Sequence, residues 1–371
     1  MSEKQPPPLK PHRRAVALPP ITGQEPTANL LHQAFPAFAG RNMREAFRLM
    51  QKSVEEGFTI FLTLSGAMTP AGLHHSCIIP LIEKGLVHAL TTTGANLYHD
   101  IHRSIGYQIH EIDPHGSDLA YRQEDTVRIY DLAISNDILL GTDEFIGRCL
   151  KSPAFQKPMT TAELHHELGR SLSQYEEKHK VPAPSLLATC FRHDVPIFCG
   201  APQDGSLFLE SVLLSIVEDG FKFRLEPERD VLQMAALQLV TQRESQTAVW
   251  IVGGGVPKNF TLQGEPTLSQ IFGLEARGFD LDLQICVDVA DNGALSSCNA
   301  GEAHTWGKTS AECVQTSSVY LRSDVTIALP VLSHALLGWL KQPLAPRRLM
   351  TRLAEAERSV RAEVRERHGI R

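Results

Sequence analysis

No two of the chain's seven cysteines, at 77, 149, 190, 199, 286, 298 and 313, form a Cys-x-x-Cys pair. An odd count rules out a complete intrachain disulfide set, and reduced thiols point to a cytoplasmic protein. Basic residues are outnumbered, 36 against 42 acidic ones, for a net charge of −6. No basic excess is left to hold phosphate backbones, so nucleic acid is not an expected partner. No apolar run reaches the roughly 20 residues of a bilayer span, so a membrane is not expected either. His-Glu-x-x-His and Cys/His ligand sets are missing. His74-His75 and His165-His166 are adjacent pairs, and sequence neighbours diverge on an α-helix, so no metal is expected. The absence of a Gly-x-Ser-x-Gly elbow argues against a serine hydrolase. Neither Gly-x-Gly-x-x-Gly nor a P-loop occurs.

What is present is an ordinary globular composition, 42% hydrophobic and 21% charged over 371 residues. Residues 1–25, with Pro6-Pro7-Pro8, read as a flexible arm. Residues 26–346 read as a single domain and 347–371 as a charged C-terminal helix, solvated or in a subunit contact. Met43, Ala46, Phe47, Met50 and Val54 share one helical stripe over 42–57, which Gly57 closes. Phe58–Leu64 is β-rich and ends in Ser65-Gly66-Ala67. A helix is predicted across about 71–85, and a second strand, Val87–Thr93, ends at Gly94. This strand–loop–helix–strand unit predicts an α/β fold with a mostly parallel sheet and helices on both faces. Residues 100–190 read as helical decoration. Further strands are predicted at Val195–Cys199, Thr247–Val252, Leu283–Val289 and Val325–Leu329.

Ligands of open α/β sheets collect at the carboxyl ends of strands, so the loops there are the candidate sites. Gly253-Gly254-Gly255 lets backbone approach a ligand and offer N–H groups to a phosphate, or makes a tight turn. Thr91-Thr92-Thr93-Gly94 offers hydroxyls and a glycine, and Ser65-Gly66-Ala67 is a third loop of small residues. Three such loops argue for a nucleotide more strongly than any one. Asp204-Gly205-Ser206 presents a carboxylate for a ribose or an amine, or a helix N-cap.

Glu302…Trp306-Gly307-Lys308 is the segment richest in chemistry. A nucleophilic lysine needs its neutral form, and burial beside an aromatic wall lowers its pKa. Trp306 can supply that wall and a cation–π surface. Glu302 can hold a cationic amine. The alternative is a surface lysine beside a packed tryptophan.

In order and spacing, Thr92-Thr93-Gly94, Asp204-Gly205-Ser206, Gly253-Gly254-Gly255, Glu302…Trp306-Gly307-Lys308 and Ser323-Asp324 resemble the deoxyhypusine synthase family over about residues 40–335. The resemblance implies a Rossmann-like, NAD-binding fold and a homotetramer with active sites between paired subunits. It places Gly66, Thr92, Thr93, Asp204, Gly254 and Asp324 at NAD, Glu302 and Trp306 at the amine, and Lys308 as nucleophile. The implied reaction is aminobutyl transfer, an alkyl-group transfer from a spermidine-like polyamine through a lysine imine.

The family's acidic pair after the Thr-Thr loop is replaced by Tyr98-His99, and its histidine after the triple glycine by Asn259. His99 and Asn259 thereby become the substrate-binding candidates at those positions. Leu209 and Leu295 replace further acidic residues, although Glu210 adjoins the first. Fewer carboxylates suit a polycation less well. SGAMTPAG, TTTGANLYHD and GGGVPKNF resemble the bacterial deoxyhypusine synthase-like branch, so a small diamine acceptor and a homospermidine-type product are expected. Two other readings stand beside this one: transfer to a lysine of a translation initiation factor, and a non-catalytic NAD-binding regulatory protein.

Overall fold

The computed structural model describes residue 16 and residues 18–370. The arm predicted over 1–25 therefore lies mostly outside the described residues. The chain's centre is a six-stranded sheet made of β1 (Thr59–Leu64), β2 (Ala89–Thr92), β3 (Ile197–Phe198), β4 (Thr247–Val252), β5 (Leu281–Cys286) and β6 (Ser318–Arg322). Every neighbouring pair is parallel, in the order β6-β5-β4-β1-β2-β3. The chain thus runs outward from β1 to β3, returns across β1 to β4, and runs outward again. This is the 3-2-1-4-5-6 order of Rossmann folds, with its switch point between β1 and β4.

Both faces of the sheet are covered. Along β4, Ala248, Trp250 and Val252 enter one hydrophobic core, while Val249 and Ile251 enter the other. In β1, Ile60, Leu62 and Leu64 face the first core and Phe61 the second. Strands with two buried faces read as continuous apolar runs, and for that reason these two are conspicuous in the sequence. The helix predicted over 42–57 forms as α1 (Phe38–Glu55) and packs into the first core through Met43, Ala46, Phe47 and Met50.

Three elements differ from expectation. Val325–Leu329 is not a strand; it begins α9 (Val325–Trp339), capped by Asp324, whose carboxylate accepts the Thr326 N–H at 2.8 Å. Its apolar run is buried as a helix, and short apolar runs fit either structure by period alone. The edge strand is instead β6. The 100–190 stretch is not wholly helical, since His110–Glu111, Leu132–Ser135 and Thr126–Ile129 form a three-stranded antiparallel sheet. Finally, the segment before β2 opens with a π-helical turn, His74–Ile78, and only then continues as an α-helix, Ile79–Glu83.

The helices that matter for the site, in chain order, are α2 (Gly94–Ser104), α3 (Asn136–Leu150), α4 (Thr161–His179), α5 (Leu186–His193), α6 (Ser206–Val217), α7 (Pro227–Glu244) and α8 (Gly255–Leu262). α10 (Leu349–Arg367) is the last helix among the described residues. One face of α10 is not solvated: Leu349, Leu353, Ala356 and Val360 are buried in the second core with Met234 and Leu237 of α7. Arg229 of α7 and Glu357 of α10 pair at 3.3 Å on the same seam.

Candidate functional site

A cavity of about 410 Å³ opens at the switch point, within the roughly 300–1,000 Å³ of ligand pockets. Each wall is the carboxyl end of a strand: Ser65 and Gly66 follow β1, Thr92 and Thr93 end β2, Gly254 follows β4, and Asp288 follows β5. Asp204, beyond β3, completes it. Five of the six residues expected at a dinucleotide, Gly66, Thr92, Thr93, Asp204 and Gly254, therefore share one crevice.

The loops are held by a hydrogen-bonded frame. Thr93 caps α2, accepting the Asn96 N–H at 3.1 Å while its hydroxyl donates to Gly66 O at 3.1 Å. The buried Asn96 accepts from Met68 N at 2.8 Å and donates to Thr92 Oγ1 at 3.0 Å, tying the β1 and β2 loops together. Ser65 donates to Gly254 O, joining the β1 and β4 loops. A Cβ at Gly254 would lie 2.6 Å from Ser296 O, so a side chain there has no room. α2 and α8 both begin at this wall. Helix N-termini and glycine backbone are the donors that anionic diphosphates seek. The Asp204 carboxylate accepts no hydrogen bond among the described residues and is free to meet a ligand donor.

The lysine segment sits elsewhere. Neither Glu302, Trp306 nor Lys308 lines the cavity. Asn299 caps the short helix Ala300–Thr305 by accepting the Glu302 N–H at 2.9 Å. Gly307 then turns with φ of +75°, a conformation open to glycine. Lys308 O accepts the Phe279 N–H at 3.0 Å, which docks the segment at the start of β5, the end remote from the crevice. Lys308 Nζ lies 5.8 Å from the centre of the Trp306 ring, which is 56% exposed. Burial draws the Lys308 ammonium below the ordinary lysine range; Cys298 and Glu302 oppose this and Lys258 adds to it.

The segment Ser296–Asn299 stands between the two places. Ser296 lines the cavity, and Cys298 acts on the Lys308 amine. Lys258, which the sequence pattern did not single out, pins this segment from within. It is 4% exposed and donates to Gln284 Oε1 at 2.8 Å and Cys298 O at 2.6 Å. Burial lowers its pKa too. Asp288 was also missed, because β5 ends at Cys286 and not at Val289; the carboxylate after the true strand end is the informative one.

The remaining expected residues lie outside the crevice. Asp324 caps α9 beyond β6, Asn259 is exposed on α8, and His99 sits on α2 one turn past Ala95 of the cavity wall. His99 belongs to a chain of hydrogen bonds whose directions are forced. Thr142 donates to Ile138 O at 2.8 Å, so it must accept from His102 Nδ1 at 2.6 Å. His102 Nε2 then accepts from His99 Nδ1 at 3.0 Å, leaving His99 Nε2 with a free lone pair. Burial pushes His99 down to about 4, which keeps it neutral at physiological pH. Beside it, Tyr98 donates to Asp143 at 2.7 Å.

Fold and crevice together define a doubly wound α/β protein of Rossmann strand order with a ligand cavity at its switch point. The family model for deoxyhypusine synthase matches residues 30–336. The chain belongs to the deoxyhypusine synthase family. It is 39% identical over 326 residues to a deoxyhypusine synthase-like protein of Nostoc punctiforme, covering 87% of this chain and 83% of that one. It is 32% identical to a protein named "Probable deoxyhypusine synthase 2" of Archaeoglobus fulgidus, over 82% of this chain and 96% of that one. The fold is shared with a candidate deoxyhypusine synthase of Entamoeba histolytica known as a crystal structure. The TM-score is 0.56 at 14% identity, over 88% of this chain and 98% of that one.

Proposed function

We propose that the chain is an NAD-dependent aminobutyl transferase that takes a four-carbon amine from a spermidine-like polyamine and passes it to a small diamine. The carrying observation is the convergence of Gly66, Thr92, Thr93, Asp204 and Gly254 on one cavity at the switch point. The residues fit a dinucleotide: α2 and α8 would meet its diphosphate, the glycines leave room for it, and Asp204 would accept from a ribose hydroxyl. The chemistry NAD supplies when bound is reversible hydride transfer at the carbon beside an amine.

Within that reading Lys308 is the nucleophile. Its half-buried amine, whose ammonium form burial disfavours, attacks a substrate imine carbon once deprotonated. The C–N bond to the departing 1,3-diaminopropane breaks as the lysine imine forms, and the lysine's proton leaves with that amine. Glu302 and Trp306 would hold the distal ammonium, and His99 and Asn259 belong to the amine end of the site. Lys308 lies outside its own chain's crevice, which supports the family's arrangement of homotetramers with active sites between paired subunits. The exposed apolar side chains of α6, Leu209, Leu213 and Ile216, support burial of that face between subunits.

Incubation with NAD and spermidine followed by borohydride tests the proposal. A reduced aminobutyl adduct mapped to Lys308 by mass spectrometry is the expected result. No adduct with spermidine, putrescine or agmatine would remove the transferase reading. Adduct transfer to a translation-factor lysine and not to putrescine would replace the small acceptor by a protein.

A further inference from the structure

We propose that His74, His75 and Asp100, none of which lines the cavity, form a zinc site. One ligand atom from each lies within 4.8 Å of the others. His74 and Asp100 are fully buried, yet neither His74 ring nitrogen has a hydrogen-bond partner, nor has His75 Nε2. Buried polar atoms without partners are rare, and one ion would take a nitrogen from each of these two neighbouring rings.

A simple hydrogen bond does not supply it. His74 Nε2 stands 3.5 Å from Asp100 Oδ1, beyond good hydrogen-bond length. Zinc–nitrogen bonds of about 2.0–2.1 Å at tetrahedral angles separate ligand atoms by about 3.3 Å, close to the His74–Asp100 separation, while the group as a whole, within 4.8 Å, would close further around an ion. The local backbone is also unusual. Both histidines lie in the π-helical turn, His74–Ile78, where the wider turn brings consecutive rings within 4.0 Å, centre to centre. π-turns recur at functional sites. The rule that adjacent side chains diverge holds for an α-helix and fails here.

The carboxylate is already oriented. Asp100 accepts from Leu186 N at 2.8 Å and Leu187 N at 2.9 Å, one bond to each oxygen, which leaves each oxygen a lone pair. Backbone donors behind a ligating carboxylate are the usual outer support of metal sites. The charges nearby are mixed: the Arg103 guanidinium acts against a cation at both histidines, while the Glu176 carboxylate favours one. Two neutral imidazoles and a carboxylate suit zinc, with water in the fourth position. Such an ion would clamp the turn after the β1 loop to α2, and α2 to α5, so its role is to brace two walls of the cavity.

Full-length protein without a histidine tag is analysed by plasma mass spectrometry. About one zinc per chain is expected, and chelator-stripped protein should melt several degrees lower and recover on adding zinc. His75→Ala should retain less than a tenth of the metal. Because that variant can fail to fold, stripped wild type is also titrated with cobalt, and visible bands of tetrahedral cobalt are expected. A zinc-free wild type whose melting point zinc leaves unchanged overturns the site. So does His75→Ala holding as much zinc as wild type, or a cobalt spectrum of free octahedral ion.

Discussion

Gly94 and Gly205 meet backbone to backbone: a Cβ built on either would stand 2.9 Å from the Cα of the other. The contact joins the loop after β2 to the loop that carries Asp204. Gly205→Ala should therefore push Asp204 out of the crevice without disturbing the core. NAD affinity, measured by calorimetry, is expected to fall on the order of tenfold, since misplaced positioning groups carry costs of that size or more. Unchanged affinity would mean that Asp204 does not touch the ligand.

Lys308→Arg keeps the positive charge beside Trp306 and removes the Lys308 amine as an imine-forming group. Turnover is expected to drop on the order of a thousandfold or more, with the borohydride adduct gone and NAD affinity kept. An adduct that persists in this variant would point to another lysine.

Burial holds the Lys308 amine below the usual lysine pKa, so the reactive neutral form gains population at lower pH than in free lysine. The rate of adduct formation should rise with pH and level off below about 10.4, the value for an unperturbed lysine. A plateau at or above that value would show that the segment is not desolvated in solution.

Thr142→Val removes the acceptor of the His102 N–H. The ring would lose its enforced tautomer, and with it the lone pair on His99 Nε2. A buried unpaired donor costs about 1–3 kcal/mol, so the melting point should fall by several degrees. If His99 serves the substrate amine, KM for the polyamine should change while NAD affinity does not; equal KM would limit the network to stability.

Acid should unfold the protein early. His88 Nδ1 accepts the Ile60 N–H at 2.8 Å, an interaction open only to the neutral ring. Burial pushes His88 and His102 down to about 3 and His165 down to about 4. In the unfolded chain these rings take up protons near pH 6.5, whereas the folded ones do not. The contribution of these rings is therefore complete above about pH 6.5 and is lost as pH falls towards 4, because the unfolded rings bind more protons across that window; the buried carboxyls of Asp100, Asp230, Glu265 and Asp282, which burial raises, act with the opposite sign. Thermal melts from pH 7.5 to 4.5 should show this slope, shallower in His88→Asn. An identical profile in His88→Asn would mean that the His88 ring is hydrated.

Much of the sheet was legible because β1 and β4 are buried on both faces and so appear as mostly apolar runs interrupted only by threonine. The same property concealed α9: Val325-Thr-Ile-Ala-Leu is as apolar as a core strand, and only Ser323-Asp324, read as an N-cap, marks it as a helix. β6, Ser-Val-Tyr-Leu-Arg, is a half-exposed edge whose alternation is too short to stand out. At the site, glycines and threonines were visible because their backbone roles restrict residue type. Lys258 and Asp288 were not, since a lysine that turns inward and a carboxylate at a strand end look like any others until the register is known. The π-turn at His74 has no sequence signature of its own.

The seam between α7 and α10 bears on how the protein can be divided. The family's own region stops at residue 336, short of Leu349, Leu353, Ala356 and Val360. A version cut at that boundary would strip the cover from α7 and leave an oily strip along the outside of the molecule. Such a fragment should clump on expression, although every residue of the crevice would still be in it.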